Sequence, residues 1–109
     1  MTRNALGDLE HQVLLATLRL KGDAYSVSVV QEIRARTGRQ VSQSAVFIAM
    51  RRLQEKGLLD SSLDDQSEGK GHVRRYFDLT PSGTERLKEM RQALVSLWDG
   101  FTAELDGAQ

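Results

Sequence analysis

The chain has 109 residues, 39% hydrophobic and 28% charged, with 15 basic side chains balanced by 15 acidic ones. That size and balance fit one domain with a modest core, and no apolar run approaches a membrane span or a secretory signal, so a cytoplasmic location without membrane contact is expected. The lack of cysteine excludes disulfides and thiolate metal sites. The two histidines, His11 and His72, fall in dissimilar segments, so no metal or other cofactor is expected.

After an expected loose leader over residues 1–6, Asp8 to Leu20 reads as a first helix, with Asp8 and Glu10 near its positive end. Leu9, Val13, Ala16 and Leu20 form one apolar stripe, and Leu14 and Leu18 form a second. A helix apolar on two sides is buried on two sides, either as a central core helix or with the second side against another subunit. Lys21-Gly22-Asp23 is a stop and turn. Ser26 suits the N-cap of a second helix running to about Thr37, with Val27, Val30 and Ile33 inward and Tyr25 and Val30 at staple spacing.

Gly38 and a short connection lead into a third helix from Ser42 toward Gly57. Val46, Ala49, Met50 and Leu53 mark its core face, and Gln43, Ser44, Phe47, Arg51 and Gln54 its other side. Ser42 suits the N-cap, and Gly57 the left-handed position that closes the helix. Two helices joined through a short glycine-containing turn outline a helix-turn-helix.

Beyond Gly57 the period changes from 3.6 to 2. Leu59, Ser61 and Leu63 alternate, Asp64 to His72 is a polar loop, and Val73 to Leu79 returns with Val73, Arg75, Phe77 and Leu79 on one side. A hairpin in this place is a wing. Thr80-Pro81 then opens a last helix, threonine as cap and proline at the first helical position. Its apolar residues Leu87, Met90, Leu94, Leu97 and Phe101 are spaced 3-4-3-4, a heptad seam that continues toward Leu105. The expected fold is mostly α with a small β-hairpin: a winged helix-turn-helix over 1–80 and a C-terminal dimerisation helix over 81–109. Leu9, Val13, Leu87, Met90, Leu94, Leu97 and Phe101 are the expected dimer contacts, and a homodimer is the simplest partner for the seam.

No nucleophile motif, phosphate-binding glycine loop or catalytic carboxylate pair stands out, so an enzyme is not expected. Basic residues gather instead on the third helix (Arg51, Arg52, Lys56) and at the wing (Lys70, His72, Arg74, Arg75), which suits neutralisation of a DNA backbone. Ser42, Gln43, Ser44 and Phe47, near the third helix's N-terminus, complete the expected contact set, Gln43 and Ser44 as base readers and Arg51, Lys70, Arg74 and Arg75 as phosphate anchors. Arg52 and Lys56 have a competing reading as solvated side chains paired with Glu55 or Asp60. Trp98 and Phe101 are candidates to line a flat slot for a small aromatic effector, against the plainer reading of packing. A rival reading, a winged-helix protein–protein module without DNA binding, draws on the zero net charge and on Phe47.

Over nearly its whole length the chain resembles the PadR family of bacterial transcriptional regulators. LGDLEHQVLLATL, DAYSVSVVQEIRARTG, VSQSAVFIAMRRLQEKGLL and RRYFDLTPSGTERL carry the resemblance. It implies a dimeric winged-helix protein of the short subgroup with one C-terminal helix. Such proteins usually repress transcription and are released by small, often aromatic molecules, in some members held between tryptophans at the dimer interface, a part that Trp98 would play here. The chain departs from the family pattern at Phe47, commonly tyrosine, and at Ser44 and Ile48, often glycine and proline. The loss of a tyrosine hydroxyl at 47 removes one phosphate contact and shifts weight to Gln43 and Ser44.

Overall fold

A computed structural model describes residues 5–64 and 73–101. In chain order it contains α1 (Asp8–Leu20), α2 (Ser26–Thr37), α3 (Gln43–Glu55), β1 (Leu59–Asp64), β2 (Arg74–Leu79) and α4 (Pro81–Trp98). α1, α2 and α3 pack on one another, β1 and β2 form an antiparallel hairpin against them, and α4 leaves from the hairpin's end.

Capping explains most of the boundaries. The Ser42 hydroxyl accepts from the Ala45 N–H at 3.0 Å and starts α3. At the far end Gly57 adopts φ +79°. Its N–H donates to the Gln54 carbonyl and the Leu58 N–H to the Leu53 carbonyl, each at 2.9 Å. This paired closure needs a left-handed residue at position 57. Thr80 caps α4 through Gly83 N–H at 3.0 Å, with Pro81 behind it. The cap of α2 differs from the expectation. Tyr25, not Ser26, is the N-cap residue, and the Ser28 hydroxyl accepts from its N–H at 2.9 Å. The staple pair moves with it: Ala24 and Val29, one residue earlier than Tyr25 and Val30, are the fully buried ones.

The core joins α1, α2, α3 and the hairpin: Val13, Leu14, Val29, Ile33, Val46, Met50, Leu53, Leu59 and Phe77 are buried in it. Phe77 is placed there by β2's alternation, opposite Ser61 in the hairpin register. Its N–H also donates to the Ala24 carbonyl at 2.8 Å, which adds a one-residue bridge from the α1–α2 turn to the hairpin. Among the described residues the one buried polar side chain, Thr17, donates to the Val13 carbonyl at 2.8 Å and so carries no unmet hydrogen bond.

Ion pairs tie the helices at their surface. Glu32 accepts from Arg36 on its own helix and from Arg19 on α1, at 2.9 and 3.2 Å. Arg36 first, then Arg19, hold this carboxyl below the usual carboxylate range. The small stabilisation from this depressed carboxyl is therefore present above the ordinary carboxylate pKa and fades as pH falls through the lowered value. Lys56 pairs with Glu10 of α1 at 2.8 Å, and neither with Glu55 nor with Asp60 as expected from local sequence. It also donates to the Ala5 carbonyl at 3.4 Å, and Leu6 packs against the core, so this part of the leader is held to the body.

Three expectations about the seam are corrected. Val13 has 0% exposure and is closed to a partner, and Leu87 is also buried, with only its edge reaching the groove between α1 and α4. Leu14 is buried too, and the outward side of α1 is Leu15 and Leu18. Phe101 is not on the helix: α4 ends at Trp98, and Gly100 at φ +87° turns the chain so that the Phe101 N–H returns to the Trp98 carbonyl at 2.9 Å. Leu9 and Met90 are half-buried, whereas Leu94 and Leu97 stand exposed. Leu105 lies outside the described residues.

Candidate nucleic-acid interface

α3 turns one face to the core and the other outward. Val46, Ala49, Met50 and Leu53 fill the first, while Ser42, Gln43, Ser44, Ile48, Arg51, Arg52 and Glu55 are exposed on the second. Between the N-terminal ends of α2 and α3 and the hairpin runs a groove of about 910 Å³, lined among others by Ser26, Gln43, Phe47, Arg74 and Arg75.

The contacts assign different duties to the expected residues. Gln43 donates from Nε2 to the Ser26 hydroxyl at 3.1 Å, which fixes its amide at the junction of α2 and α3 and leaves Oε1 as an acceptor. Ser42 spends its hydroxyl oxygen on the cap and sits 3.5 Å from the Ser44 hydroxyl, so Ser44 is the freer of the two. Phe47 is half-buried, edge-on to Phe77 with ring centroids 6.3 Å apart, and wedges α3 against the hairpin. The exposed Arg51 guanidinium lies 5.9 Å from the Phe47 ring centre, beside that wedge.

On β2 the two arginines point to opposite sides. Arg75 faces inward and donates to the Ser61 hydroxyl at 2.8 Å, which in turn donates to Gln54 Oε1 at 3.1 Å, tying the hairpin to α3. Arg74 faces out and lies 4.4 Å over the Tyr25 ring. Its Nη1 also donates to the Tyr76 hydroxyl at 3.4 Å, and Tyr25 and Tyr76 meet edge-on at 5.4 Å. The Tyr76 hydrogen bond pushes Arg74 above the usual arginine range, so it is cationic throughout the physiological range. Lys70 and His72, the other wing cations, lie outside the described residues. Tyr25 is the participant that sequence reasoning missed: it is 49 positions from Arg74, and no local pattern links them.

Residues 14–89 match the family described as the transcriptional regulator PadR-like family. The chain belongs to the PadR-like family.

It is accordingly a DNA-binding transcriptional regulator with a winged helix-turn-helix and a C-terminal helix. Solved PadR-family structures agree with this arrangement. A PadR family transcriptional regulator from Eggerthella lenta DSM 2243 is 28% identical, with 89% of this chain and 82% of that one covered and a TM-score of 0.67. A PadR-like transcription factor from Bacteroides fragilis is 22% identical over 82% of each chain at a TM-score of 0.72. A PadR family regulator from Clostridium difficile R20291 is 19% identical over 87% and 98% of the two chains at 0.71. The last two likenesses speak for the fold alone. No curated protein matches. Among the described residues of this PadR-like chain, no group of three or more His, Asp or Glu side chains is placed to hold a metal ion, and no helix is long and apolar enough to cross a membrane.

Proposed function

We propose that this PadR-like protein is a homodimeric repressor that binds a two-fold symmetric operator and is released by a small aromatic effector. The observation that carries the reading is the outward strip of α3. Gln43, Ser44 and Arg51 are exposed along one side of a helix whose other side is wholly buried, with the Arg74 guanidinium held across the same groove. A helix presented in this way fits a major groove, the amide and hydroxyl near its N-terminus toward base edges and the guanidinium groups toward phosphates. Arg75, occupied by Ser61, serves in this reading to set the hairpin's position.

Dimerisation draws on a second surface. Leu15 and Leu18 of α1, Leu94, Val95, Leu97 and Trp98 of α4, and Phe101 are all large, apolar and exposed. Five of them, Leu15, Leu18, Leu94, Val95 and Trp98, line one groove; an exposed apolar surface of this kind marks an interaction site, and in a two-fold dimer it would cover itself. Repression and release follow what the family resemblance implies. The effector has a candidate seat in the groove of about 850 Å³ between α1 and α4, where Leu15, Leu18, Leu94 and Trp98 supply apolar walls and His11 and Arg91 polar ones. Phe101 does not line that groove, so Trp98 is the aromatic wall.

Two measurements test this. Replacing Arg51 with alanine should weaken binding to a retained genomic fragment by about tenfold at moderate salt and lower the slope of log affinity against log salt by about one. An unchanged affinity at every salt concentration removes Arg51 from the interface. Titration with planar aromatic compounds that release the DNA should quench Trp98 fluorescence in step with release. Full release with unaltered emission assigns Trp98 to packing alone.

A further inference from the structure

The exposed large hydrophobic side chains of the described residues fall into groups with one left over. Seven belong to the α1–α4 surface described above, and Leu63 and Val73 flank the hairpin. The remaining one, Ile48, is 52% exposed on α3. At about 100° per residue it lies about 40° around the helix from Ser44 and about 60° from Arg51, one turn along from the first. It is therefore near the middle of the outward strip. The core side chains Val46, Ala49 and Met50 point the other way. Ile48 lines a depression together with Ala5, Gly7, Leu9, Ala45 and Arg52, and about half of its surface is still open to solvent.

The strip thus places an aliphatic branch between a hydroxyl (Ser44) and two guanidinium groups (Arg51, Arg52). A helix that inserts this strip into a major groove presents Ile48 to base edges while the arginines reach toward the backbone. Of the groups exposed on base edges in that groove, the apolar one is the thymine 5-methyl. We infer that Ile48 is a specificity-determining residue that packs on a thymine methyl in each operator half-site. This rests on the DNA-binding reading and adds to it an apolar contact beside the polar ones assigned to the Gln43 amide and the Ser44 hydroxyl.

The test uses the full-length protein and a genomic DNA fragment that it retains. Each thymine of one half-site is replaced in turn by deoxyuridine, which lacks only the methyl. Wild-type protein should lose about fourfold in affinity at one position, the effect of removing one buried methyl group. Ile48→Ala should bind the thymine fragment more weakly by a similar factor and be indifferent to deoxyuridine at that same position, while Ile48→Val retains most of the discrimination. The inference is overturned if Ile48→Ala shows the wild-type deoxyuridine profile, since another residue then reads the methyl or none does. It is also overturned if Ile48→Ala lowers the melting temperature by several degrees without changing the profile, which would make Ile48 a packing residue beneath the leader. If wild-type protein retains no fragment, the DNA-binding reading fails first and this inference falls with it.

Discussion

Replacing Leu94 with aspartate is expected to leave the protomer folded, to abolish dimerisation and to weaken operator binding by at least about a hundredfold, the avidity gained when two linked modules bind together. Leu94 is 47% exposed in the protomer, so the substitution disturbs little of its own core. In the proposed dimer it lies on a self-complementary face with Leu15, Leu18, Leu97 and Trp98, and two-fold symmetry places the new carboxylate there twice. An unpaired charge buried in such a face costs several kcal/mol. Sedimentation should show a monomer, with far-UV circular dichroism unchanged. A variant that sediments as a dimer assigns the face to some other partner.

The second large effect is expected at Gly83. A Cβ built on this residue would stand 2.2 Å from the Leu58 carbonyl oxygen and 3.4 Å from the Leu79 side chain. The Leu58 oxygen cannot retreat easily, because it accepts from the Thr80 N–H at 3.1 Å. The Thr80 hydroxyl meanwhile donates to the neighbouring Gly57 carbonyl at 2.6 Å. This cluster locks the start of α4 to the end of α3. Gly83→Ala must shift one helix against the other, with an expected loss of about 2–3 kcal/mol from overpacking and a fall in melting temperature on the order of 10 °C. Ser82→Ala, one residue earlier and exposed, should be nearly silent in the same thermal melt. Equal melting temperatures for the two variants would contradict the tight packing described for this joint.

Much of this architecture is legible in the chain because its signals are local. The four-residue spacing within α3, Ser42 before it and Gly57 after it specify that helix without reference to the rest of the molecule. The same holds for Thr80-Pro81 and for the alternation that turns Phe77 inward. Where several apolar residues ring a helix, local pattern is insufficient. α1 carries Val13, Leu14, Leu15, Ala16 and Leu18, and which of them face out depends on where α3, β2 and α4 pack. That is why the stripe pattern alone puts Val13 at an interface, whereas packing puts it in the core. Long-range polar pairs are equally hidden. Lys56 finds Glu10 across 46 positions, and Arg74 finds Tyr25 across 49; no spacing rule anticipates either.

The site shows the same division. The exposed ends of Gln43, Ser44 and Arg51 follow from helical period alone. The opposite directions of Arg74 and Arg75 follow from the alternation along β2, which sets Arg75 with Phe77, but their partners do not: Tyr25 under Arg74 and Ser61 beside Arg75 are brought there by packing. Phe47 owes its place to both levels. It stands beside the core stripe by period, and the hairpin then closes over it through Phe77.

The central claim is that a dimer holds two copies of α3 for successive major grooves on one face of DNA. Hydroxyl-radical footprinting of a retained genomic fragment tests this most directly. Two protected windows of two-fold symmetric sequence, with centres about one helical turn or roughly 34 Å apart, are predicted. A single window, or no protection at protein concentrations that saturate binding, would contradict it.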